Sequence, residues 1–168
     1  KGYLRSDNLF DIEALLIDTK HYSVPNDYRG EIKPGEPIHH MTIKITLDRN
    51  MLIKAAKAIT KSSPFEICKN ANKNFHKLVG LQFKPGWRKD MQKILGHTKG
   101  CTHIRELLPA IATTAFQTIQ GYNSKISREK KKAQTIKSKK KPYLLGSCFA
   151  FDPKSAIVKK IWPEWFEK

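Results

Sequence analysis

The segment Gly100-Cys101-Thr102-His103 sets a thiol just before a predicted helix start, with an imidazole two positions further on. Unpaired backbone N–H groups and the helix dipole at such a start favour an anionic sulfur, the form that metals and electrophiles require. His103 is close enough in the chain to share a metal with Cys101 or to act as its base. The other donors of this kind are scattered: Cys68 at the first turn of a predicted helix, Cys148 in a predicted closing hairpin, and the pair His39-His40 at the start of a strand. Neighbouring strand residues face opposite ways, so only one of His39 and His40 can enter a given site. Zinc accepts this class of ligand, with sulfur at about 2.3 Å and nitrogen at about 2.0 to 2.1 Å, and the fold must supply the meeting. The bland reading is that isolated cysteines are commonly buried as small apolar residues, and His76 and His97 show histidine in use without an evident partner.

Carboxylates form a secondary candidate. Asp11 and Glu13 point to one strand face and could act as a pair or contact an oxygen-rich ligand, with Asp18 further along the same strand. Opposite so many lysines, such residues also serve as surface ion-pair partners of little energetic worth. Neither the dinucleotide fingerprint nor the G-x-x-x-x-G-K-[ST] pattern occurs in a strand-to-helix context, so no nucleotide cofactor is expected. The G-x-S-x-G nucleophile elbow and the H-E-x-x-H zinc motif are also missing.

The elements that must position these residues follow from periodicity. Leu9 to Tyr22 is strand-like, with Phe10, Ile12, Ala14, Leu16 and Asp18 on one face. Three prolines and two glycines between Val24 and Pro37 predict a loop. Met41, Ile43, Ile45 and Leu47 alternate through a strand at Ile38 to Leu47, which turns at Asp48-Arg49-Asn50 into a second arm, Met51 to Thr60. That arm's Ala and Lys content suits a helix nearly as well. Ser63 and Pro64 then open a predicted helix with a stripe of Ile67, Ala71, Phe75, Leu78 and Val79, ended by Gly80. Another helix, from near Pro85 to Gly96, uses Trp87, Met91, Ile94 and Leu95. A short helical turn is expected from Thr102 to Leu108, and a main helix from Pro109 to Gly121, because proline inside a helix breaks it. Tyr143 to Phe151 and Ala156 to Trp162 are read as a closing hairpin around Asp152 to Ser155. The expected fold is α+β: an antiparallel sheet of hairpins with three to four helices packed on one side.

The 168 residues suit a single domain spanning 1–168, with a basic flexible loop at about 125–142. Within it Arg128, Lys130, Lys131, Lys132, Lys137, Lys139, Lys140 and Lys141 face Glu129 alone, a large share of the chain's +17. That charge makes nucleic acid a candidate partner through Lys130, Lys131, Lys132, Lys139, Lys140 and Lys141, although no aromatic residue is interleaved to stack on bases. No apolar run approaches the roughly 20 residues of a membrane span, so no membrane partner is expected. Three cysteines cannot build a disulfide framework, which predicts free or metal-bound thiols in a reducing, cytoplasmic setting.

The phrases Asp11-Ile12-Glu13-Ala14, Asp18-Thr19-Lys20, Gly35-Glu36-Pro37-Ile38-His39, Leu78-Val79-Gly80, Gly100-Cys101-Thr102-His103 and Thr114-Ala115-Phe116-Gln117 resemble the bacterial DUF2889 family over nearly the whole chain. The resemblance implies that Asp11, Glu13, Asp18, His39, Cys68, Cys101, His103 and Cys148 occupy family motif positions. It supplies neither fold nor activity. The chain departs from the pattern at His40, where an acidic residue is expected, and in the lysine-rich stretch before Pro142. A more distant, architectural likeness is to iron-sulfur cluster scaffold proteins, in which ligands converge from a hairpin and two helix starts. By that likeness Cys68, Cys101 and Cys148, completed by His39 or His103, would hold zinc or an iron-sulfur cluster. The expected function is a Cys/His metal-binding module. The alternatives are a cysteine-dependent enzyme using Cys101 with His103 or His39 as base, and a nucleic-acid binder using the basic run.

Overall fold

The structure, a computed structural model, describes residues 1–131 and 141–168. The chain forms two compact units, Lys1–Ile126 and Ser127–Lys168, each described by itself.

The first unit is built on an antiparallel sheet in the order β1-β2-β5-β6, from β1 (Gly2–Leu4), β2 (Phe10–Thr19), β5 (Pro37–Leu47) and β6 (Ile53–Ser62). Alternation along β2 and β5 turns Phe10, Ile12, Met41, Ile43, Ile45 and Leu47 to one buried face. Asp48 fixes the β5–β6 turn, its Oδ1 accepting from the N–H groups of Asn50 at 2.8 Å and Leu52 at 3.1 Å. The second arm is therefore a strand, and its Ala56 and Ala58 leave room for the layer packed above them. Two short elements went unpredicted. β1 edges the sheet at Gly2, where a Cβ would stand 2.0 Å from Thr118 Oγ1. The proline-rich stretch expected to be a loop folds into a small hairpin, β3 (Val24–Asn26) with β4 (Gly30–Ile32), turned by Gly30 at φ 74°.

The layer over the buried face differs from expectation in two places. Residues Glu66–Leu78 form a 3₁₀ helix rather than an α-helix, and Ser63 does not cap it: its hydroxyl donates to the Phe65 carbonyl at 2.9 Å. Only part of the predicted stripe is inside, with Phe75 and Leu78 buried but Ile67 and Val79 exposed, because a three-residue turn spreads the i, i+4 rows around the axis. α1 (Trp87–Leu95) follows as expected, and Met91 and Leu95 are buried.

α2 (Thr102–Lys131) is one continuous helix carrying Pro109 inside it, not a short turn and a second helix. Proline forfeits the bond to the carbonyl four residues back. Ile104 and Leu108 before it, and Ile111 and Ala115 after it, all join the same buried cluster as the sheet, which offsets that loss. The helix also runs through Gly121 and on to Lys131, so the basic loop does not begin at 125.

The second unit is helical where a closing hairpin was expected. A 3₁₀ turn at Phe149–Phe151 leads into α3 (Ala156–Ile161) and a second 3₁₀ turn at Pro163–Trp165. Ser155 decides this locally: its hydroxyl caps α3 by accepting from the Val158 N–H at 3.1 Å. The Phe151 and Trp162 rings meet at 5.2 Å between centroids. Among the described residues, no helix is long and apolar enough to cross a membrane.

Candidate functional site

Asp18 and His39 are directly opposed residues of the antiparallel β2–β5 pair, just before the register shifts at Thr19. Both side chains lie on the helix-covered face, and His39 is buried. His39 Nδ1 is 3.0 Å from Asp18 Oδ2. An ionised carboxylate only accepts, so Nδ1 carries a proton and donates it. Lys20 also hydrogen-bonds Asp18. The Lys20 ammonium first and the His39 ring second hold the Asp18 carboxyl below its ordinary value, and Asp18 holds the Lys20 ammonium above its own.

The His39 ring lies against that of His103, with centroids 3.8 Å apart and planes tilted by 31°. Burial against these neighbours, and then the approach of His39, push the His103 imidazole below its usual value of 6.5, although its outer side is exposed. His103 Nδ1 is 4.0 Å from Cys101 Sγ, and Cys101 Sγ is 3.8 Å from Met41 Sδ. The contacts run unbroken from Asp18 through His39 and His103 to Cys101.

Local sequence explains how each member is held. Met41 follows His39 by two residues on β5 and so shares its face. Gly100 lets the chain turn close under Leu95, where a Cβ would lie 2.9 Å from the Leu95 carbonyl oxygen. Cys101 then caps α2 in the backbone sense, its carbonyl accepting from the Arg105 N–H at 2.9 Å. The N–H groups of Thr102, His103 and Ile104, in the first turn, have no partner within the helix. Cys101 is half-buried, packed against the core and still accessible.

The other predicted residues are not members of this chain of contacts. Cys68 is half-buried in the 3₁₀ helix, and Cys148 is exposed at the start of a 3₁₀ turn in the second unit. Among the described residues, no group of three or more His, Cys, Asp and Glu side chains is placed to hold a metal ion. His40 points to the opposite sheet face from His39. The acidic trio is divided the same way, since Asp11 and Glu13 lie on the face opposite to Asp18. Asp11 is occupied there by Thr46 at 2.6 Å, Lys44 at 3.4 Å and Arg5 at 3.6 Å. Of the basic run, Lys141 is exposed, Lys130 and Lys131 are described only as the last backbone positions of α2, and Lys132, Lys139 and Lys140 lie outside the described residues. Met41 and Lys20 were missed as neighbours of the site, although strand parity with His39 would have found Met41.

An antiparallel sheet backed by helices, with a thiol–imidazole cluster where a helix start meets two strand ends, defines an α+β protein with one concentrated chemical site. The model of a protein family of unknown function, DUF2889, matches residues 1–117. The chain belongs to the DUF2889 family. The match covers the whole Asp18–His39–His103–Cys101 cluster and stops short of Cys148, so the expected likeness over nearly the whole chain reduces to this part. No curated protein and no solved structure matches the chain.

Proposed function

We propose that the protein is a cysteine-dependent enzyme in which Cys101 is the nucleophile. The observation that carries this reading is the contact of His103 Nδ1 with Cys101 Sγ at 4.0 Å, backed by the His39 ring and its Asp18 anchor. A base whose ring is held below 6.5 is neutral near pH 7 and ready to take a proton. The Cys101 thiol gives its proton to His103 Nδ1, and the sulfur electron pair forms a bond to an electrophilic carbon. The bond from that carbon to its leaving group breaks, and the leaving group takes the proton back from His103. Asp18 and His39 act as positioning residues, fixing the ring against which His103 rests. The first-turn N–H groups of α2, which have no partner within the helix, would serve as donors to the negative charge that develops on a carbonyl oxygen under attack.

A second reading, a site for a thiophilic metal using Cys101, His103, His39 and Met41, would require these side chains to move, since no group of three or more His, Cys, Asp and Glu among the described residues is placed to hold a metal as they stand. The thiol reading comes first because it uses the contacts as they stand. One experiment separates the two. Protein purified without an affinity tag or chelator is analysed for zinc, iron and copper, then treated with a small activated ester and examined by peptide mass spectrometry. An acyl adduct on Cys101, absent in His103→Ala and formed in metal-free protein, is the result expected of the enzyme. Near-stoichiometric metal that is lost in Cys101→Ser, with no adduct until it is removed, would replace the enzyme reading by the metal one.

A further inference from the structure

β1 covers only part of β2. Gly2–Leu4 pairs with Phe10–Ile12, and the last bonds on that side join Lys1 to Glu13. The Glu13 N–H donates to the Lys1 carbonyl at 2.8 Å, and the Glu13 carbonyl accepts from the Lys1 ammonium at 2.8 Å. Backbone groups alternate along a strand, so those of Leu15, Ile17 and Thr19 point the same way as those of Glu13, away from β5. No strand lies on that side beyond Glu13, and among the described residues the main chain of these three has no backbone partner there. Leu15 and Ile17, on the sheet face away from the helices, are 55% and 52% exposed.

The two edges of the sheet differ in charge. β6 carries Lys54, Lys57 and Lys61, and edge lysines oppose pairing with another chain. β2 holds no lysine or arginine from Phe10 to Thr19, although the chain carries a net charge of +17. Its open stretch, Ala14-Leu15-Leu16-Ile17, is apolar. An unpaired apolar edge without positive charge is a template for a further strand.

We infer that a second copy of this chain supplies that strand, pairing β2 with β2 antiparallel about a two-fold axis at Ile17. The open stretch is bounded at one end by Lys1 and at the other by Lys20, whose carbonyl accepts from the Gly35 N–H at 2.9 Å, and Ile17 lies at its middle. Run in the opposite direction about Ile17, the same stretch matches itself. Ile17 meets Ile17 of the second copy, and Leu15 meets its Thr19, each pair exchanging N–H to C=O bonds in both directions. The Leu15 and Ile17 side chains of both copies then share one face and shield one another from water. Asp18, the nearest carboxylate, is already held in its own copy by Lys20 and His39. A strand this short contributes far less than the roughly 20 to 30 residues a side of a standard interface, so the copies separate on dilution.

The test is sedimentation velocity of the full chain in reducing buffer from about 1 μM to about 1 mM. The expected result is a mass that rises with concentration towards twice that of the chain. Ile17→Lys and Ile17→Glu each set like charges opposite one another at the axis and should raise the dissociation constant by about tenfold or more. Both should keep the parent circular dichroism, because Ile17 is exposed in the single copy. An equal mixture of the two variants should recover the dimer, since opposite charges then meet at the axis. Ile59→Lys, on the same sheet face but on β6, and Cys101→Ser should leave the equilibrium unchanged. A mass that stays monomeric throughout, a dimer that survives Ile17→Lys, no recovery on mixing, or an equal loss in Ile59→Lys would overturn the assignment.

Discussion

Asp18 and His39 face each other across the β2–β5 pair, and the 3.0 Å contact between Asp18 Oδ2 and His39 Nδ1 ties the end of one strand to the beginning of the other. That contact and the Lys20 hydrogen bond hold the Asp18 carboxyl below 3.8. Its stabilising effect is complete above the unfolded-state value and is lost as pH falls through the lower folded-state value. Asp18→Asn should therefore lower the melting temperature at pH 7, and the difference from the parent should close as the pH falls below the unfolded-state value and through the folded-state one. Thermal melts across this range check it; a difference that does not change with pH would show that the charge is immaterial.

His103 contributes in the same direction, although the cause here is burial of a base, which disfavours its charged form. Its ring is held below 6.5, so between the folded-state and unfolded-state values the unfolded chain binds more protons, and stability rises with pH through that window. Urea unfolding from pH 5 to pH 7 should show this rise, and His103→Gln should flatten it.

Pro109 sits inside α2 at a position where the helix forfeits a backbone hydrogen bond. Pro109→Ala should stabilise the protein by about 1 to 3 kcal/mol, the cost of an interior proline less what packing on both sides already offsets. Urea denaturation is the direct measurement. A loss of stability would mean that Pro109 is required by its packing rather than tolerated.

Met41 lies in the core and touches Cys101 through its sulfur. Met41→Leu conserves volume and should cost less than about 1.5 kcal/mol. On the enzyme reading it leaves the alkylation rate of Cys101 within about twofold, since the thioether takes no part in proton transfer. A large rate change at unaltered stability would give Met41 a chemical role.

Much of this site was legible from strand parity alone. Alternation along β2 puts Asp18 on the face of Phe10 and Ile12, and alternation along β5 separates His39 from His40. The pairing of Asp18 with His39 needed the register, which is set by a long intervening segment whose small hairpin no period-two pattern announces. The course of α2 was misread because proline's local penalty was set against no tertiary term, whereas Ile104, Leu108, Ile111 and Ala115 bury one stripe across it. In the second unit, the turn residues Asp152 to Ser155 suggested a hairpin, and the Ser155 cap was the overlooked signal of a helix. The 3₁₀ form of Glu66–Leu78 differs from an α-helix by one residue in its bonding, a difference that apolar spacing does not encode.

The central claim is that Cys101 is activated by His103, and the most direct measurement is the alkylation rate of each cysteine at pH 7, resolved by peptide mass spectrometry. Exposure alone ranks Cys148 first, since Cys68 and Cys101 are half-buried. Activation predicts that Cys101 reacts fastest of the three and slows by about tenfold or more in His103→Ala, while Cys68 and Cys148 keep their rates. Cys148 reacting fastest, or a Cys101 rate indifferent to His103, would contradict the account.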